Sequence, residues 1–120
     1  MEPFPDFDIA GAAKRINEAN RREDAAISER RLRAQDEARR IAGAFRAADL
    51  DIRRIWGFGS AFESGRPFRL DSDIDLAIEG GDIISLLPLT ERSDFKVDLI
   101  DISGIEDEFA RGIRERGALL

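Results

Sequence analysis

From Asp8 to Ala48 the chain contains no proline and only two glycines, Gly11 and Gly43. Nothing in that run punctuates it into strands and turns, so it is read as one long helix or two. Ile27, Ala34, Ala38, Ile41, Phe45 and Ala48 recur at helical spacing, and this later half is expected to dock its apolar face on a core. The earlier half, Lys14 to Arg33, offers mainly Ile16, Ala19 and Ile27 among Arg, Glu, Asp and Asn. It buries little by itself, and it either projects or pairs with another chain. Two readings of this arm stand: a solvated helix with Glu–Arg pairs at helical spacing, or a helix that binds a partner or a second copy. An RNA-binding reading of Arg21-Arg22 and Arg30-Arg31-x-Arg33 is set aside. Glu18, Glu23, Asp24 and Glu29 interrupt the basic field, and no aromatic residue lies among them.

The length, 120 residues, suits one core and leaves no room for a second domain of similar bulk. The expected organisation is an N-terminal helical extension over residues 1–50, packing on the core or on a partner, followed by a core over 51–120. With 42% hydrophobic and 37% charged residues the composition is that of a soluble globular chain. No stretch is apolar for long enough to cross a bilayer, and Met1-Glu2-Pro3-Phe4-Pro5 lacks the basic and apolar regions of a signal peptide. A cytoplasmic location is expected.

Cysteine and histidine are both absent, which removes disulfides, thiolate metal sites, Cys–His or Ser–His catalysis and imidazole acid–base chemistry. Carboxylates, hydroxyls, Lys and Arg remain. The net charge of -6 is unfavourable for broad contact with a nucleic-acid backbone, so direct nucleic-acid binding is not expected. Residues 1–50 hold ten basic and ten acidic side chains and residues 51–120 hold nine and fifteen, so the whole excess lies in the second part. A bound divalent cation would offset some of it.

After Asp51 the texture changes to short apolar runs broken by glycines. Arg53 to Phe58 reads as a strand, followed by a loop from Gly59 to Ser72 that is rich in Gly, Ser and Arg and contains Pro67. Asp73 to Ile78 reads as a second strand, ended by Gly80-Gly81. Asp82 is expected to cap a short helix through Leu87, limited by Pro88, and Lys96 to Ile102 reads as a third strand. Ser103 with Glu106 three residues on forms a capping box that predicts a last helix with Ile105, Phe109 and Ile113 on its apolar face. Arg111, Arg114 and Arg116 lie towards its far end, and Gly117 terminates it. The residues of this helix are read as structural.

The chemistry is placed in the strands. Side chains alternate faces along a strand, so Asp73 and Asp75 project from one side while Ile74, Leu76 and Ile78 point to the core. Two carboxylates that close repel each other unless a cation lies between them, and oxygen ligands favour a hard ion such as magnesium. Taken alone, D-x-D reads as two solvated carboxylates on a half-exposed strand. Aspartate is disfavoured in strands, however, and here two interrupt an apolar run while Asp98 interrupts another. Asp98 is preferred to Asp101 as the third ligand, because Asp101 has the opposite parity and lies near the strand end. Upstream, Gly57-Phe58-Gly59-Ser60 ends the first strand. There, absent side chains let backbone N–H groups approach a triphosphate, and Ser60 can add a hydrogen bond; a lone Gly-Ser otherwise reads as a simple turn. Arg66, Arg69 and Lys96 are read first as solvated surface cations and second as phosphate contacts.

Gly59-Ser60, then Ser72-Asp73-Ile74-Asp75-Leu76, then Val97-Asp98-Leu99 resembles the DNA-polymerase-beta-type nucleotidyltransferases, in particular the minimal or MNT group. The resemblance covers roughly residues 50–117. It implies an α/β, or α+β, fold in which helices pack a small mixed sheet. It also implies that Gly59 and Ser60 hold nucleotide phosphates, that Asp73 and Asp75 bind magnesium, and that Asp98 completes the metal site and assists an attacking hydroxyl. Two magnesium ions and ATP as substrate are implied. Two departures stand out: Ser64 next to Gly65 where the family has its second glycine, with a loop about two residues longer than is common, and the long N-terminal helix. Members of this group are often antitoxins of HEPN-type RNase toxins. The expected function is therefore transfer of a nucleoside monophosphate, AMP from ATP, to a hydroxyl of a partner protein. The alternatives are a catalytically idle binding module of the same fold and an enzyme acting on a small molecule such as an aminoglycoside. A homo-oligomer through the N-terminal helix is a further expectation.

Overall fold

The computed structural model describes residues 8–120. The leader with Pro3 and Pro5, and the absence of a signal peptide read from it, lie outside the described residues.

Over the described residues the chain is α+β: a long N-terminal helix, two shorter helices and a mixed four-stranded sheet. Helix α1 is a single continuous element, Ile9–Ala48. Asp8 caps it by accepting from the Gly11 amide at 2.9 Å, and the Asp49 amide closes it on the Phe45 carbonyl. At about 1.5 Å per residue its length accounts for most of the 76 Å long axis of the molecule. Burial along it begins only at Ala34 and continues through Ala38, Ile41, Ala42 and Phe45. Ala48, expected on the same face, is exposed, and Ile27 is half-buried. The reason is the helical period. Ile27, Ala34, Ile41 and Ala48 are seven residues apart, and such a row drifts by about 20° per step on a straight helix, so both its ends rotate off the contact.

The strands are β1 (Arg54–Phe58), β2 (Ile74–Glu79), β3 (Val97–Asp101) and β4 (Ala118–Leu119), in the spatial order β3-β2-β1-β4. β1 runs antiparallel to both β2 and β4, and β2 is parallel to β3. A parallel pair needs a crossover, which helix α2 (Ile83–Thr90) supplies. Asp82 caps α2 as expected, accepting from the Ile84 amide at 3.1 Å. The helix does not stop before Pro88. The hydrogen bond lost at Pro88 is to the Ile84 carbonyl on the exposed side, while Leu86 and Thr90 bury the other side and Thr90 donates its hydroxyl to Leu87.

The capping box at Ser103 is not used. Helix α3 is Glu108–Arg116 and is capped by Asp107, which accepts from the Ala110 amide at 2.8 Å. Ser103 is committed elsewhere: its hydroxyl accepts from Gly80 and donates to Asp101, and Gly104 at φ +71° turns the chain away from a helix. Only Ile113 of the predicted apolar face is buried. Ile105 precedes the helix, and Phe109 is 60% exposed, its ring edge-on to Phe58 at 6.1 Å.

Each face of the sheet carries its own core. Ile55, Ile74, Leu76 and Ile78 pack with the buried side of α1 and with Leu86 of α2. On the other face, Ala77 and Ile102 pack with Ala110 and Ile113 of α3, beside Trp56, Phe58 and Ile100. α3 is fastened by Glu79, which is 5% exposed: it accepts from Arg114 at 2.9 Å and from the Trp56 indole at 2.8 Å. No helix among the described residues is long and apolar enough to cross a membrane.

Candidate functional site

The alternation that sends Ile74, Leu76 and Ile78 towards α1 and α2 sends Asp75 to the opposite face. β3 alternates in phase, with Val97 and Leu99 against the first core and Asp98 on the other side. The parallel register sets Asp75 directly beside Asp98, and the antiparallel register sets Asp75 beside Phe58, the residue before Gly59. Asp73 lies one residue ahead of β2, its side chain 32% exposed, with the Lys96 ammonium 3.7 Å away. The strand ends thus bring Gly59, Asp73, Asp75 and Asp98 to one edge of the sheet.

The carboxylates are crowded. The Asp75 carboxyl is pushed up to about 6 from its ordinary 3.8, first by burial, then by the charges of Asp98 and Asp73, with Arg66 opposing. Asp98 is exposed. Among the described residues no three carboxylates converge closely enough to form a complete metal-ligand group. The donor set is nonetheless all oxygen and negatively charged. It fits magnesium, which commonly takes one or two carboxylates and completes its shell with water and substrate phosphates. Asp101 is occupied with Ser103, accepting from its amide and hydroxyl.

Gly59 to Ala61 form a single 3-10 turn directly after β1. Gly59 sits at φ +70°, where a side chain is strained, and a Cβ there would come within 2.1 Å of Asp75 Oδ2. The sequence predicts a Gly59 amide free to approach a phosphate, but in the structure that amide is already engaged. It donates to Glu63 Oε2 at 2.6 Å. Glu63 is only 5% exposed and also binds Arg116 Nε at 3.2 Å, with Arg66 at 3.6 Å. From the other side α1 reaches the same turn: Arg31 donates to the Ser60 carbonyl at 3.2 Å and Gln35 to that of Ala61 at 2.6 Å. A cavity of about 250 Å³ lined by Ser28, Arg31, Leu32 and Gln35 follows α1 there, with no aspartate of the site in its wall.

Nothing in the sequence singles out Glu63 or Gln35, and Arg31 stands out there only as part of a basic cluster. Glu63 sits in a polar loop and Arg31 in a charged helix, and only the fold brings them to Gly59. Arg30, grouped with Arg31 as a basic patch, lies over the Phe95 ring at 4.4 Å. Arg66 and Lys96 are exposed cations that nevertheless face Glu63 and Asp73, and Arg69 is exposed.

Comparison with protein-family models and with curated proteins returns no match.

Proposed function

We propose that this chain is a minimal, magnesium-dependent nucleotidyltransferase of the polymerase-beta-like fold. On this reading it transfers AMP from ATP to a hydroxyl of a partner protein and acts in the cytoplasm as the antitoxin of a HEPN-type toxin. The observation that carries the reading is the side-by-side placement of Asp75 and Asp98 in the parallel register, with Asp73 one residue ahead and Gly59 packed against Asp75. Aspartates sharing one edge, pressed until Asp75 resists ionisation, form a site whose repulsion a cation relieves.

In this reading Asp73, Asp75 and Asp98 would hold two magnesium ions, which would neutralise charge on the triphosphate and on the departing pyrophosphate and make the attacking hydroxyl more acidic. Gly59 gives Asp75 the room it needs, and Ser60 offers its hydroxyl to a phosphate. Asp98, the most open of the three, orients the acceptor hydroxyl and takes up its proton. Lys96 and Arg66, already drawn to Asp73 and Glu63, are cations that would meet an incoming triphosphate.

On this reading the acceptor hydroxyl belongs to the partner, and the exposed arm of α1 is the surface offered to the toxin or to a second copy. A catalytically idle module of the same fold is the second reading. It is favoured by the commitment of the Gly59 amide to Glu63 and by the absence of a convergent carboxylate group among the described residues.

Calorimetric titration of ATP with magnesium into the wild type, Asp73→Asn and Asp75→Asn separates the two. Binding that requires magnesium and both aspartates supports the enzyme. A folded wild type that binds no nucleotide, alone or with its partner, supports the idle module.

A further inference from the structure

We propose that Glu63 is a positioning residue for nucleotide binding, holding the Gly59–Ala61 turn from beneath in the conformation that makes room for Asp75. The inference rests on the nucleotidyltransferase reading above and adds to it a residue that contacts neither nucleotide nor metal.

A carboxylate in a loop is ordinarily solvated, and burying one costs several kcal/mol unless its charge and lone pairs are met. Glu63 is 5% exposed, and its partners divide between its two oxygens. Oε2 accepts from the Gly59 amide at 2.6 Å and faces Arg66 at 3.6 Å, while Oε1 accepts from Arg116 Nε at 3.2 Å. The turn is thereby tied to α3 at its C-terminal end and to its own loop. The tie falls on the one residue of the turn whose backbone is left-handed. Gly59 at φ +70° is also where a Cβ would meet Asp75 Oδ2. Rotation of the Gly59 peptide would break the bond to Glu63 and move the backbone that walls Asp75, so one carboxylate fixes the place of the other.

The charged hydrogen bond to a backbone amide is of the stronger kind, and its loss is expected to release the turn rather than unfold the sheet. The positioning role predicts a specific split. Glu63→Ala removes the acceptor, whereas Glu63→Gln retains an oxygen in the same place and discards the charge.

The test combines amide hydrogen exchange at Gly59, read by NMR, with calorimetric titration of ATP and magnesium into the wild type and both variants. In Glu63→Ala the Gly59 amide loses protection and ATP binds roughly tenfold more weakly, as for loss of one charge-assisted hydrogen bond. In Glu63→Gln protection returns and affinity recovers to within about threefold of the wild type. Should Glu63→Ala fail to fold, Arg116→Met replaces it. That guanidinium is 61% exposed, and its removal loosens the same carboxylate, with several-fold weaker binding expected. A Gly59 amide that exchanges freely while ATP affinity is unchanged overturns the proposal, as does a Glu63→Gln variant as weak as Glu63→Ala with Gly59 still protected. A wild type that binds no ATP removes the nucleotidyltransferase reading and this role with it, an outcome distinct from loss in the variants alone.

Discussion

The space left by the missing side chain of Gly59 is filled by the carboxylate of Asp75, whose Oδ2 lies 2.1 Å from where a Cβ would stand. Gly59→Ala therefore asks for two concessions: a left-handed backbone that costs an L-residue about 1–2 kcal/mol, and displacement of Asp75. Urea unfolding should show a loss of at least about that size. Binding of magnesium with ATP, followed by calorimetry, should fall further than the lost stability explains.

The pH dependence of Asp75 has a definite sign. Its folded value of about 6 exceeds the ordinary 3.8, so between the two the folded chain keeps a proton that the unfolded chain releases. Stability therefore falls as pH rises through this window, and the loss is complete above about 6. Asp75→Asn should remove that pH dependence and raise Tm at pH 7.5 by about 3 °C or more while abolishing cation-dependent nucleotide binding. Magnesium added to the wild type should raise Tm above pH 6 and have little effect below pH 4. Scanning calorimetry across pH, with and without the ion, checks all three statements.

Glu79 behaves in the opposite way. Burial alone would raise it, but hydrogen bonds from Trp56 and Arg114, with the charges of Arg114 and Arg54, hold it below its ordinary 4.5. Its stabilisation is present above that value and is lost as pH falls through the lower folded one. Arg114→Met leaves the buried Glu79 carboxylate with only the Trp56 bond and the more distant Arg54, and is expected to cost up to about 3 kcal/mol in urea unfolding at neutral pH. Glu79→Gln should cost less, because it removes the buried charge while its amide oxygen still accepts from Trp56.

On the proposed function, Asp98 is the residue expected to separate binding from transfer. It is exposed and stands next to Asp75, so Asp98→Asn should keep ATP affinity within several-fold. Labelling of the acceptor should fall about 100-fold or more, the scale of a lost proton acceptor. Radiolabel transfer from ATP in the presence of the partner reads this directly, and equal loss of binding would assign Asp98 to nucleotide retention instead.

Much of the architecture was legible because it rests on local patterning. Alternation placed β1, β2 and β3 to within a residue of their ends, and parity alone put Asp75 and Asp98 on faces that the register then aligned. What escaped depends on distant partners. β4 is two residues long and exists because β1 offers an open edge, so no periodicity could announce it. Ser103 and Asp107 both had capping chemistry, and the choice was made by Gly80, which claims the Ser103 hydroxyl from across the chain. Nothing local marks Glu63 or Glu79 for burial, which depends on α3 bringing Arg116 and Arg114 to them.

Only the later half of α1 belongs to the core, with burial starting at Ala34. Deletion of residues 1–26 should therefore leave the sheet folded and Tm nearly unchanged. If the arm engages a partner or second copy, the deletion should also abolish that association in analytical ultracentrifugation.

The unbroken course of α1 gives the molecule a handle. Its free end stands clear of the sheet, while Arg31 and Gln35, farther along the same rod, grip the Ser60 and Ala61 carbonyls. With no proline to act as a hinge, tilting the rod about its seat at Ala34 to Phe45 would pull through Arg31 on the Ser60 carbonyl, and through it on the turn that walls Asp75. A protein that took hold of the handle would be holding the trigger as well.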